Sequence, residues 1–190
     1  GLHRAADSAG AFVGLLLAIG IVWATQRDAV TLAPETFRTL TAWAIVPSAL
    51  AAIIVWVFVR DVARPTAATP PRLSLAGFDR RFRRFLIVMV LFTLGNSSDA
   101  FLVLRAQDAG ASVLVVLGMI ALFNLVYTVA AGPAGALSDR IDRRRLIVAG
   151  WAIYAGVYLG FAVAGSTWHF WVLYALYGLY YALTEGVAKA

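Results

Sequence analysis

The chain contains no cysteine, which excludes disulfides, thiolate metal sites and a cysteine nucleophile. Its two histidines, His3 and His169, stand near opposite ends and form no ligand cluster. Neither a phosphate-binding P-loop, a dinucleotide glycine fingerprint nor a serine elbow occurs. Charge is scarce too. Only 14% of the 190 residues are charged, against about a quarter in a soluble globular domain. What fills the chain is apolar, with 62% hydrophobic residues and a mean hydropathy of +0.81. These proportions imply a polytopic helical membrane protein. In a soluble chain a net charge of +6 would suggest nucleic acid as a partner. Here the arginines cluster in loops between apolar runs, so no soluble basic face exists to bind it.

A membrane span needs ~20 apolar residues. Six candidate spans run from about Ala9 to Ala24, Phe37 to Val59, Phe85 to Leu104, Val113 to Ala131, Leu146 to Ala164, and Trp168 to the end. Pro47 is expected to kink the second. In the first, Gly10 and Gly14 make a small-xxx-small face suited to helix packing. In the fourth, Asn124 and Thr128 lie one turn apart with Tyr127 beside them, and are expected to hydrogen-bond between helices. The longest polar segment is Arg60 to Arg84. Pro65, Pro70 and Pro71 make its first half stiff and extended. Its second half sets Phe78, Phe82 and Phe85 at helical spacing, with Arg80, Arg81, Arg83 and Arg84 on other faces. That pattern suits a short helix on an anionic inner leaflet, so membrane lipids are expected partners.

Between the fourth and fifth spans lies GALSDRIDRRR, Gly135 to Arg145. Arg4, the linker arginines, the arginines of this stretch and Lys189 all fall on one side, thirteen of the sixteen basic residues. Arg27, Arg38 and Arg105 fall on the other. Positive charge collects on the cytoplasmic side, which assigns the linker and this stretch to the cytoplasm.

The stretch resembles the signature loop of the major facilitator superfamily, written G-x-L-x-D-R-x-G-R-R. Gly135, Leu137, Asp139, Arg140, Arg143 and Arg144 fall on its fixed positions, while the family's second glycine is Asp142 here. The resemblance implies an all-α transmembrane helix bundle of twelve spans in two six-helix halves, six of them present. Residues 1–59 would be the last two helices of the N-terminal half. Residues 60–84 would be the cytoplasmic central linker with its interfacial helix, and 85–190 the first four helices of the C-terminal half. Four helices are then expected before this chain and two after it. A monomer in a bacterial inner (plasma) membrane is the expectation. The resemblance implies transport of a small solute by alternating access, with no cofactor, no metal and no enzymatic activity. Asp139 and Arg143 would help to hold one facing state at the cytoplasmic gate. Asp142 adds charge and removes conformational freedom there, which weighs against that role. Gly1, Gly10 and Gly14 also match the opening glycines of a second, antiporter-associated family motif. That motif's proline and glycine pair are Leu15, Ala18 and Ile19 here, which favours the packing reading.

An ionisable residue inside a span is a functional candidate by default. Asp99 lies in LGNSSDAF of the third span, with Thr93 and Asn96 on roughly the same face. Gly95 and this polar cluster favour local unwinding, which would expose backbone groups to a substrate; the alternative is a helix break capped near the outer interface. In the sixth span Trp171, Tyr174, Tyr177, Tyr181, Glu185 and Lys189 share one helical stripe. An amphipathic stripe of this kind suits a water-filled cavity, with tyrosines offering flat surface and hydroxyl handles. A Glu185–Lys189 pair that only steadies the helix is the alternative. Either carboxylate is a candidate for proton coupling, since protonation neutralises a site in apolar surroundings. Two other classes remain open from sequence. A transport-inactive receptor or scaffold would bind a ligand without accumulating it. A membrane-embedded enzyme would need paired acid and base groups at one depth, and Asp99 and Glu185 have no histidine partner.

Overall fold

A computed structural model describes residues 2–59, 78–95, 98–138 and 140–188, with side chains placed from Ala11 to Glu185. Among the described residues seven helices follow in order: α1 (Leu2–Thr25), α2 (Pro34–Phe58), α3 (Arg80–Gly95), α4 (Ala100–Asp108), α5 (Val113–Ser138), α6 (Arg143–Val163) and α7 (Thr167–Ala188). No strand occurs among them. α2, α5, α6 and the combined run Arg80–Asp108 are long and apolar enough to cross a membrane. The apolar part of α1, Gly10–Thr25, is shorter. α7 has 22 residues, enough length at ~1.5 Å per residue for the ~30 Å hydrocarbon layer, although its tyrosines and tryptophans lower its hydropathy. The linker 60–77 lies outside the described residues. α3 begins at Arg80, within the stretch expected as an interfacial helix, and runs on without a break to Gly95. Phe78 and Phe82 meet as tilted rings with centroids 4.6 Å apart, and Phe82 and Phe85 likewise at 6.5 Å.

The chain forms two compact units, Ala44–Phe101 and the remainder, Gly1–Trp43 with Leu102–Ala190. In the first, α3 buries none of its residues, and Trp56 and Leu94 are 86% and 79% exposed. α2 continues through Pro47; a lost N–H is tolerated in a membrane helix when neighbours re-satisfy the freed group. Within the third span the described residues Ser98 and Asp99 are non-helical. α3 ends at Gly95, and the Ala100 N–H donates to Ser98 Oγ (3.3 Å) as α4 starts.

The second unit is built on α7, which packs most extensively against α5 and then against α6, while α1 packs on α5. On α6 the buried face is Leu146, Gly150, Tyr154, Val157 and Phe161, a period of three and four that aims one stripe at α7. Small residues set the helix spacing. A Cβ on Gly178 would lie 2.6 Å from the Phe123 carbonyl oxygen, so α7 touches the α5 backbone there. Gly118 accepts the Trp171 ring, Gly150 the Thr184 methyl and Gly160 the Leu173 side chain. Among the described residues a Cβ on Gly10 or Gly14, the expected packing pair, has no neighbour within 4 Å.

The connections are stitched by side chains. Gln26 donates to the Thr31 carbonyl (3.0 Å) and accepts from the Ala33 N–H (2.7 Å), closing the α1–α2 loop ahead of Pro34 at the start of α2. α4 ends in a Schellman turn: Ala111 N–H donates to Ala106 O (3.0 Å) and Gly110 N–H to Gln107 O (2.8 Å). Gly110 has φ +88°, a conformation only glycine adopts at little cost. Arg105 donates from Nε to Phe161 O (3.1 Å) and from Nη2 to Ala164 O (2.8 Å). A cation is thereby fixed at the C-terminus of α6, where the helix dipole favours it.

Candidate functional site

The half-buried carboxylate of Glu185 accepts a hydrogen bond from Tyr127 Oη at 2.7 Å, joining α7 to α5 across 58 residues. This is an ordinary length for an O–H···O hydrogen bond. Tyr127 reaches Glu185 because Gly178, two turns below on α7, lets the two backbones approach. Rings wall the site. Tyr181 meets Tyr127 edge-on with centroids 6.4 Å apart and Phe123 edge-on at 5.3 Å. Tyr177 lies 5.2 Å from Tyr181 and 5.6 Å from both Phe123 and Tyr180. Tyr154 of α6 closes the far side at 5.1 Å from Tyr180 and 4.3 Å from Tyr158. Edge-to-face pairs at such spacings contribute about 0.5–1.5 kcal/mol each beyond area burial, so this wall is a rigid support for the carboxylate.

The sequence-predicted residues divide as follows. Tyr174 and Tyr177 are buried, 4% and 2% exposed, and pack helix against helix. Tyr181 and Glu185 are half-buried. Asp99 is exposed at the turn before α4 and belongs to the unit Ala44–Phe101. Asn96 and Lys189 lie outside the described residues. Asn124 turns back on its own helix, donating to Ile120 O (2.9 Å), and Thr128 is exposed. The expected bond between helices is made instead by their neighbour Tyr127. Periodicity put Tyr127 next to Asn124 but carried no signal that Glu185 opposes it. Arg105, read from the sequence only for its side of the membrane, and Gln107, not read at all, stand in the last turns of α4 with partners 56 or more residues away.

Asp139 of the signature loop lies outside the described residues. Leu137 is 38% exposed, and its carbonyl accepts from the Arg140 and Ile141 N–H groups, each at 3.0 Å. Gly135 offers its carbonyl to Ser138 Oγ (2.7 Å). Arg140, Arg143 and Arg144 are exposed. Asp142 is the N-cap of α6, with φ −52° and ψ 121°, and accepts from the Arg144 N–H at 3.0 Å. No left-handed conformation is needed at this position, so an aspartate costs nothing there in strain and supplies an acceptor. Asp142→Ala is therefore expected to cost about 1 kcal/mol and Asp142→Gly only a few tenths. Thermal melting of the purified protein checks this, and melting of both variants at the parent temperature would contradict the cap. Among the described residues no group of histidine, cysteine or acidic side chains could hold a metal ion.

Apolar helices of spanning length define an integral multi-pass membrane protein. The sequence pattern described as Major Facilitator Superfamily matches residues 1–188, and the chain belongs to that family. It is similar to a protein of Methanocaldococcus jannaschii described as an uncharacterized MFS-type transporter, with 30% identity over 197 residues. That match covers all of this chain and 47% of the relative, so the chain spans about half of the relative's length. No solved structure matches it.

Proposed function

We propose that the protein carries a small solute across the membrane by alternating access, coupled to protons through Glu185. The observation that carries this reading is the Tyr127–Glu185 bond: an acid inside an apolar bundle, held by a neutral donor from another helix. Ionised, the carboxylate takes a charge-assisted bond and fixes α7 to α5. Protonated, it loses its charge and most of that preference. Each facing state then favours a different protonation state, and a proton gradient drives the cycle.

On this reading residues 1–59 and 85–190 belong to opposite halves, and the signature loop and linker face the cytoplasm. The bonds from Gln107 Nε2 to Val30 O and from Val113 N–H to Ala29 O, both 2.9 Å, then fasten the halves on the outer side. They correspond to a state closed to the exterior.

The test uses the full-length protein in vesicles enclosing a pH-sensitive dye, offered a panel of amino acids, sugars, organic cations and organic anions. Wild type is expected to move protons with at least one class. Glu185→Gln is expected to reduce that flux to the level of empty vesicles, while Tyr127→Phe slows it by about tenfold, as for loss of one charge-assisted bond of ~1.5 kcal/mol. Solute movement with no proton movement, or full proton flux in Glu185→Gln, overturns the coupling. Solute that binds and never accumulates favours a receptor.

A further inference from the structure

The N-terminal turns of α6 carry a cleft that the transport reading does not use. It measures about 530 Å³ and is lined by Asp142, Arg144, Arg145, Val148, Ala149 and Ala152. Its chemistry changes along its length. Two guanidinium groups stand at the end next to the signature loop, and among the described residues neither is in an ion pair. Asp142 also borders that end, but its carboxylate is engaged with the Arg144 N–H at 3.0 Å. Below the arginines the wall is wholly apolar. Val148 is 55% exposed, Ala149 and Ala152 are exposed, and a Cβ on Gly156, the next position down the same face, has no neighbour within 4 Å. Positions 145, 148, 149, 152 and 156 follow the three-and-four spacing of one helix face. Small side chains make that face a shallow channel rather than a ridge.

From this sequence of chemistries we infer a binding site for an anionic phospholipid. Its phosphate sits against Arg144 and Arg145, and the upper part of one acyl chain lies along Val148, Ala149 and Ala152. α6 is apolar enough to cross the membrane, and in the inferred site the channel faces hydrocarbon at the depth where acyl chains begin. The arginines lie at headgroup depth, where each basic residue attracts anionic lipid by ~1 kcal/mol. A free phosphate would gain from the arginines but not from the channel; a zwitterionic lipid would gain from the channel but carries a neutralising amine.

The test is native mass spectrometry of the delipidated full-length protein titrated with phosphatidylglycerol, phosphatidylcholine or glycerol 1-phosphate. Phosphatidylglycerol is expected to be retained about tenfold better than phosphatidylcholine, the ratio that two surface arginines give after partial screening. Arg144→Ala with Arg145→Ala removes that preference. Ala152→Leu, which fills the channel at an exposed position and leaves the charges in place, weakens retention of phosphatidylglycerol without touching the arginines. Glycerol 1-phosphate does not compete. The site is overturned if wild type binds both lipids equally, if both variants retain phosphatidylglycerol like wild type, or if glycerol 1-phosphate displaces the lipid.

Discussion

Gly178→Val is expected to separate α7 from α5 and to lower the thermal stability of the purified protein further than Asp142→Ala does. Even the first added carbon would stand 2.6 Å from the Phe123 carbonyl oxygen, 3.2 Å from Tyr127 N and 3.2 Å from Val126 Cβ. The first two are backbone atoms of a helix, which cannot rotate aside as a side-chain tip can. The helices must therefore move apart, and α7 is the element on which α5 and α6 both pack. Overpacking a tight interior costs about 1–3 kcal/mol, and here it also pulls Tyr127 away from Glu185. Gly178→Ala should show the same effect at smaller size. Gly156→Ala is the control, because its Cβ meets open space. Melting followed by size-exclusion chromatography reads all three. If Gly178→Val melts with the parent protein, the close approach of α5 and α7 is wrong, and so is the geometry of the Tyr127–Glu185 bond.

That glycine shows what the sequence discloses and what it does not. Apolar runs and arginine clusters are one-dimensional signals, so the helices are legible without coordinates. The glycine pair at Gly10 and Gly14 is legible too, as a spacing, but a spacing does not name the helix that lies against it. Gly118, Gly150, Gly160 and Gly178 do that work inside the unit, each isolated among larger side chains and each matched to a group on another helix. The same holds for the tyrosine stripe of α7. Its period is correct and its residues share a face, yet whether that face meets water or other rings depends on what stands opposite. Tyr154 and Phe123 stand opposite, so Tyr177 is buried against rings. Asp142 illustrates the reverse case. As a departure from a motif it reads as a loss of freedom, and only its backbone angles and the Arg144 N–H identify it as a cap.

The second large effect concerns the connections on the side away from the signature loop. A disulfide between Ala29→Cys and Val113→Cys is expected to reduce transport by the full-length protein to the leak of protein-free vesicles, and reduction is expected to restore it. The Val113 N–H donates to Ala29 O at 2.9 Å, which brings the two backbones close enough for a disulfide, whose Cα atoms stand about 4.4–6.8 Å apart. This chain has no cysteine of its own, so any others in the full-length protein are removed first and neither single variant cross-links. The size of the effect follows from the proposed cycle. If the α1–α2 and α4–α5 connections belong to opposite halves, opening to the exterior must break this bond and the Gln107–Val30 bond beside it, and a covalent bridge forbids that step outright. Gln107→Ala removes one of the two fastenings and should act in the opposite sense, raising hydrogen exchange at the Val113 N–H, which donates to the adjacent Ala29 O, without abolishing transport. Failure of the pair to cross-link would refute the contact itself. A cross-linked protein that still transports at the parental rate would keep the contact but reject its part in the cycle, because the two connections would then travel together as one rigid piece.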